Sequence, residues 1–324
     1  MKFLRFSKYT ASVLATFIGV ANVHADTFPT KAITLIVPYT AGGTADGIGR
    51  HLAHTLSKQL KTPVVVENKP GAGASLGTDF VAKSAPDGHT MLLVSTSALT
   101  VYPHIAQANY DPLTDLIPLR SVAVAPVVLA ASKATPANDF DALITAAKEK
   151  PESIRYGTPG VGTNAHLGME LLSGKTNTKL LHIPYKGNSQ ALTDAVGGLF
   201  ELLVTNVDVV LPHAKTGVLR PLAVMAPKRL ESWPEVPTLA ELGYPDAQYY
   251  SDFGIFLPAK TPTTVVDALQ AAIQDSTNQA EYAEFLRNSA TQPGVGSGTE
   301  YAEKIKAQYE LNADVIKRAN IHVN

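Results

Sequence analysis

Apolar and polar positions along the chain fall into two patterns that follow one another repeatedly. One is a short, near-continuous apolar run, and the other is an apolar stripe recurring every third or fourth residue. "AITLIVPY" (32–39) is of the first kind, the mark of a strand covered on both faces. After it, Ile48, Leu52, Leu56 and Leu60 recur every four residues and predict a helix with one core-facing stripe. Thr44 is placed to cap that helix, with Asp46 in its first turn. The same order returns as the strand "PVVVEN" (63–68), the turn "KPGAGASLG" and the helix "TDFVAKSA". "HTMLLVSTSAL" (89–99) reads as a strand ending in hydroxyls, and "DLIPLRSVAVAPVVLAAS" (115–132) as strands around a crossover. The second half repeats the scheme at 153–172, 179–198 and 200–217, after a helix over 140–150 and before a strand over 219–226. Beyond "DFGIFLPA" (252–259) the pattern is helical. Strands alternating with helices, and few hairpin signals, predict an α/β protein with parallel sheets. A chain of 324 residues suggests two domains.

Two Gly-rich turns, Ala41–Thr44 and Gly160–Thr163, each join a strand to a helix with Thr163 or Asn164 as the second cap. In an open parallel sheet, ligands gather outside the carboxyl ends of the strands. A helix N-terminus there adds unpaired N–H groups and a partial positive charge. Glycine lets a ligand approach the backbone with no Cβ in the way. One such turn in each half would give a cleft an anion-binding floor on either side.

Composition then narrows the compartment. Lys2, Arg5 and Lys8 precede an apolar stretch from Ala11 to Ala21 and a small-residue pattern, Val23-His24-Ala25. This is the plan of a secretory signal peptide, residues 1–25, cleaved after Ala25, and its apolar part is too short to span a bilayer. Removing its three basic side chains leaves 24 basic against 28 acidic residues, a charge of −4 with His neutral. A mildly acidic exported protein without Lys/Arg clusters is a poor match for nucleic acid. No cysteine occurs, which excludes a disulfide framework, a thiol nucleophile, a Cys-bound metal and a lipidated N-terminal cysteine. The mature chain is expected free in the periplasm.

Three chemistries compete for the glycine turns. Phosphate binding lacks a G-x-x-x-x-G-K-[ST] loop, and "GAGASLG" (71–77) is misspaced for a dinucleotide fingerprint because Leu76 replaces the third glycine. Gly73-Ala74-Ser75-Leu76-Gly77 does match G-x-S-x-G, so a secreted serine hydrolase using Ser75 is the alternative reading. Against it, Lys69-Pro70-Gly71-Ala72 separates the strand from the serine, and no His stands out as the base. His51 and His54 lie three apart on the first helix but off its apolar stripe, with no third ligand at metal spacing, so no metal and no cofactor are expected. His166, in the first turn after Gly162-Thr163, either completes a helix cap or faces a ligand.

"PYTAGGTAD" (38–46) resembles the P-[FY]-x-x-G-G-x-x-D signature of the Bug-type receptors, the extracytoplasmic solute-binding proteins of tripartite tricarboxylate transporters. "VVVENKPGAGASLGTDFVAKSAPDGHTMLL" (64–93), "YDPLTDLIPL" (110–119), "YGTPGVGTNAHL" (156–167), "HIPYKG" (182–187), "VLRPLAVMAPKRLESWPEVPTLAELGYP" (218–245) and "FGIFLPAKTP" (253–262) follow in that family's order. Thr44 stands where Ser is frequent, and Ala74-Ser75 replaces a more usual Gly-Asn pair. The resemblance implies a two-lobed periplasmic-binding-protein fold, each lobe a mostly parallel sheet flanked by helices, with a hinge between. Lobe 1 would take 26–125 plus 255–324, and lobe 2 would take 126–254. The implied partners are a small organic carboxylate and inner-membrane transporter subunits, the chain acting as a monomer without catalysis. The amides of Ala41, Gly42 and Gly43 with the Thr44 hydroxyl would bind one carboxylate. Asp46 would hold a bridging water, orient the loop or stabilise the helix N-terminus. Gly160, Val161, Gly162 and Thr163 would take the opposite end, near His166. Thr96, Ser97, Asn206 and Asp208 would line the walls, and Tyr39 would stack on an aromatic ligand or sit in the core.

Overall fold

The computed structural model describes residues 28–319; the expected signal peptide lies outside them. In chain order the elements are β1 (Ile33–Val37), α1 (Thr44–Leu60), β2 (Val64–Asn68), α2 (Ser75–Ala82), β3 (Thr90–Ser95), α3 (Ser97–Thr100) and α4 (Tyr102–Ile105). The long strand β4 (Leu116–Ala131) leads to α5 (Phe140–Glu149), β5 (Arg155–Thr158), α6 (Asn164–Thr176), β6 (Leu181–Pro184), α7 (Asn188–Gly197), β7 (Leu202–Asn206), α8 (Val207–Lys215) and β8 (Arg220–Met225). The chain returns through β9 (Tyr250–Pro258) to α9 (Thr263–Thr277), α10 (Ala280–Asn288), β10 (Gln292–Pro293) and α11 (Gly298–Ala319).

The strands form two sheets that share β4. Its residues Leu116–Pro126 pair with β9, and from Val127 onward it pairs with β7 and β8. β2, β1 and β3 are parallel to one another, as are β6, β5 and β7. The crossing strands are not: β9 is antiparallel to both β3 and β4, and β4 to β7 and β8. Each sheet is thus mostly parallel, as expected, with β2, β1, β3 and β4 in one sense against β9, and β6, β5, β7 and β8 in one sense against β4. β4 carries the chain out of one sheet and β9 carries it back, so the two must run in opposite senses. The segment 115–132 is one strand rather than several, and Pro126, paired with Tyr250, marks its passage between sheets.

Each sheet is covered on both faces. Ile48, Leu52 and Leu56 of α1 bury against Ile33, Leu35 and Val37 of β1, as their four-residue spacing requires, together with Leu269 and Ile273 of α9. The opposite face holds Ile36, Leu92, Phe256 and Tyr301. In the second sheet Tyr156, Leu172 and Val204 pack on one face and Phe200, Leu203 and Trp233 on the other. Two local expectations change. The stretch after Ser95 is not strand but the short helix α3, and α1 is capped by Gly43 in an extended conformation, with Thr44 as its first residue. The Thr44 hydroxyl is drawn off to partners in the other half of the molecule.

Asp252 of β9 ties the crossing together. Its buried carboxylate accepts from Ser121 of β4 at 2.6 Å and from Lys304 of α11 at 2.5 Å, with the Tyr301 hydroxyl at 3.4 Å. These bonds clamp α11 across both crossing strands next to the cleft.

Candidate functional site

Four helices begin where the two sheets face each other: α1 from the first half, and α6, α7 and α8 from the second. Each brings unpaired amides and roughly half a positive charge to its first turn. Between them lies a cavity of about 30 Å³, room for a water or two. Gly43, Thr44 and Ala45 line it from α1, Thr163 and Ala165 from α6, Asn188 from α7, and Thr205 and Asn206 from the end of β7. Ser95, Ser97, Ser251, Tyr39, Phe253, Val127 and Pro159 complete the wall. No lining side chain is charged. A guest anion there would be held by dipoles alone.

A polar chain crosses the cavity edge. Thr205 Oγ1 donates to Asn188 Oδ1 (2.8 Å), Asn188 Nδ2 donates to Thr44 Oγ1 (2.9 Å), and Thr44 Oγ1 donates to Asp208 Oδ1 (2.8 Å). Beside it, Ser189 Oγ donates to the Ala41 carbonyl at 2.6 Å. Asn206 Nδ2 donates to Ser251 Oγ (2.9 Å) and to the Ala125 carbonyl (3.2 Å), fixing the floor to the crossing strands. Burial pushes the Asp208 carboxyl up to about 6, partly offset by the Thr44 hydroxyl and by backbone amides at the start of α8.

Three amides of the glycine turns have partners close in sequence. The Gly42 amide is taken by Asp46 Oδ2 at 2.9 Å, the Gly160 amide by Thr158 Oγ1, and the Gly162 amide by His166 Nδ1 at 3.2 Å. Positive φ at Gly42 (+78°) and Gly162 (+75°) turns these amides inward. Ala41, Gly42, Gly160, Val161 and Gly162 do not line the cavity, whereas Gly43, Thr44 and Thr163 do. Thr96 faces a neighbouring groove beside Asn164 and Tyr250, while Ser97 lines the cavity. Tyr39 lines it as well, its oxygen accepting from the Ser95 amide.

Asp46 is buried and accepts from the Gly42 amide of the turn before it. Burial pushes its carboxyl up, but bonds from Arg50, the Gly42 amide and Asn68, with the Arg50 charge, hold it below the usual carboxylate range. His166 lies in the first turn of α6. Its ring stacks on His182 at 4.2 Å, which in turn stacks on Tyr156, and burial lowers His166 to about 4, so it stays neutral near pH 7. Its Nδ1 accepts from Gly162, which fixes the acceptor nitrogen. Thr163 caps α6 by accepting from the His166 amide and donating to the Gly160 carbonyl at 2.8 Å. Thr163→Ala should cost about 1 kcal/mol, read as a lower melting temperature, with Thr163→Ser retaining most of it.

Ser95, Asn188, Thr205, Ser251 and Phe253 went unnamed by sequence reasoning. For Asn188 a signal existed: "HIPYKGNSQAL" is a third strand–glycine–helix unit, with Gly187 at the N-cap. Ser75 is the first residue of α2, beside the Tyr110 phenol, with a helical turn between it and β2. His51 stacks on Phe285, and His54 lies 3.3 Å from Glu281, both on an exposed face.

The tripartite tricarboxylate transporter family receptor matches residues 48–321. Protein BugT of Bordetella pertussis is 35% identical over 315 residues, spanning 94% of this chain and 96% of BugT. Among solved structures, an R. palustris protein with adipate superposes with a TM-score of 0.86 at 30% identity, covering 91% of this chain and 99% of that one. MatC from Rhodopseudomonas palustris with bound malate gives a TM-score of 0.85 at 25% identity, over 89% and 100% of the two chains.

Proposed function

The chain belongs to the tripartite tricarboxylate transporter receptor family, and on that premise we propose that it captures a small organic carboxylate between its two lobes in the periplasm and delivers it to inner-membrane transporter subunits. The observation that carries this reading is the convergence of four helix N-termini on a cavity lined by hydroxyls, carboxamides and no charged side chain. The adipate and malate held by the two R. palustris structures support the ligand class. Tyr39, Gly43, Thr44, Ser97, Thr163 and Asn206 would contact the ligand, with Ser95, Asn188, Thr205 and Ser251 added. Asp46, Asp208, His166 and the glycine turns would shape the site from behind.

Closure follows from differential affinity: a carboxylate touching α1 and α6–α8 together gains contacts that the open form cannot offer. We place the lobes at 26–125 plus 255–324 and at 126–254, with residues 250–254 of β9 already paired in the first sheet. The signal peptide would be removed, and the receptor would act as a monomer without turnover. The sequence match at Ser75 draws no support from its setting, so the hydrolase is set aside.

A thermal-shift panel of dicarboxylates, tricarboxylates, aromatic acids and amino acids tests this. At a hundred times its Kd, one acid should stabilise the protein by about 2.7 kcal/mol, saturably and unchanged chemically. Stabilisation by uncharged solutes or cations alone, with no response to any acid, would defeat the reading.

A further inference from the structure

The stretch Gly71–Gly77 lies outside the cavity lining, yet Gly73 sits where the two halves touch. A Cβ built on it would stand 2.2 Å from the carbonyl oxygen of Val161, which follows β5 in the opposite half. Likewise, a Cβ on Gly187 would stand 2.2 Å from Thr40 Oγ1 and 3.0 Å from the Thr40 amide nitrogen. Thr40 follows β1, and Gly187 leads into α7, so this contact also joins the halves. Real Cβ atoms essentially never approach another heavy atom within 3.0 Å. Among the described residues Thr40 Oγ1 is buried without a hydrogen-bond partner, at the point where Gly187 meets it.

We propose that Gly73 and Gly187 are closure contacts between the two halves, where the lobes reach binding distance only because neither residue has a side chain. Both are positioning residues. A methyl group at either wedges the lobes apart and weakens ligand binding without touching the ligand. The inference rests on the receptor reading only in taking the lobes to open and close.

The absence of cysteine allows a direct measurement. A Cβ on Gly43 would lie 3.3 Å from Asn188 Cβ across the lobes, near the separation of roughly 3.5–4.5 Å that a disulfide spans. A Gly43→Cys/Asn188→Cys protein therefore cross-links only when the halves meet, and its oxidation rate without ligand reports the closed population. Adding Gly73→Ala should slow cross-linking at least tenfold. Gly187→Ala should do the same, and Thr40→Gly in that background should restore the rate. Cross-linking of both alanine variants at the parent rate overturns the proposal, as does failure of Thr40→Gly to restore it. Both glycines have positive φ (+58° and +157°), so either alanine also strains the backbone; Thr40→Gly relieves the contact at Gly187 but not that strain, and if Gly73→Ala does not fold, Gly187→Ala with and without Thr40→Gly carries the test. No ligand enters the assay. An unresponsive acid panel with slowed cross-linking would remove the carboxylate and leave the closure contacts standing.

Discussion

Asp46→Ala is expected to abolish carboxylate binding, by at least a hundredfold in Kd, and to lower stability by about 2 kcal/mol. The carboxylate is buried and accepts three hydrogen bonds, from Gly42 N, Arg50 Nε and Asn68 Nδ2, at 2.9, 2.9 and 3.0 Å. Bonds to a charged acceptor contribute about 1.5–3 kcal/mol each in favourable cases, but Arg50 is half exposed and screened, which holds the total near the lower figure. The binding loss has a separate origin. Asp46 pins the turn that aims Gly43, Thr44 and Ala45 at the cavity, and a loosened turn scatters the amides of α1. Asp46→Asn keeps the shape and loses the charge, so it should fall between. The pH response follows the direction of the shift: the carboxyl is held below its unfolded value near 3.8, so its contribution is full above that value. It disappears as pH falls through the lower folded value. Chemical denaturation with isothermal titration checks both parts; an Asp46→Ala protein that binds as the wild type would refute the pinning role.

Ligand affinity should fall about tenfold between pH 5.5 and 7.5 in the wild type and stay flat in Asp208→Asn. While Asp208 is ionised, the Thr44 hydrogen points at it, and Thr44 Oγ1 also accepts from Asn188. Thr44 then has no proton to offer a ligand. Protonated, Asp208 releases that hydrogen toward the cavity, and an arriving carboxylate favours this state because two like charges repel. Asp208 is raised to about 6 by burial, and its other influences are the Thr44 hydroxyl and the amides of Asp208 and Val209, with no charged side chain among the described residues contributing. The sign is that of a raised acid. The closed form gains relative to the unfolded chain below the unfolded value near 3.8, and this gain is lost as pH rises through about 6. Each unit of linkage corresponds to about 1.4 kcal/mol, hence the tenfold expectation. Titration calorimetry in buffers of different ionisation enthalpy should show proton uptake on binding in the wild type only; equal uptake in Asp208→Asn would rule Asp208 out as the acceptor.

Much of the fold was legible in the chain before any coordinates. Strand β1 and helix α1 follow directly from a five-residue apolar run and a four-residue stripe, because burial on two faces and on one face leave different periods. The same reading found the turns that open α1 and α6. It mistook the tail of β3, since "STSAL" has strand-like hydroxyls but lies where the chain must bend beneath α11. It also missed the antiparallel sense of β4 and β9, because the direction in which a strand re-enters a sheet leaves no mark on its composition.

At the site the division is sharper. Local sequence determined that glycines would bring helix N-termini to strand ends, because φ and the first-turn amides depend on neighbours in the chain. It could not determine which amides stay free. Gly42 and Gly162 give theirs to Asp46 and His166, while Thr44 is tied to Asn188 and Asp208, 144 and 164 residues away. Only the packing of one lobe on the other brings those partners within 3 Å, and hydrogen bonds, being short-ranged and directional, are settled at that distance.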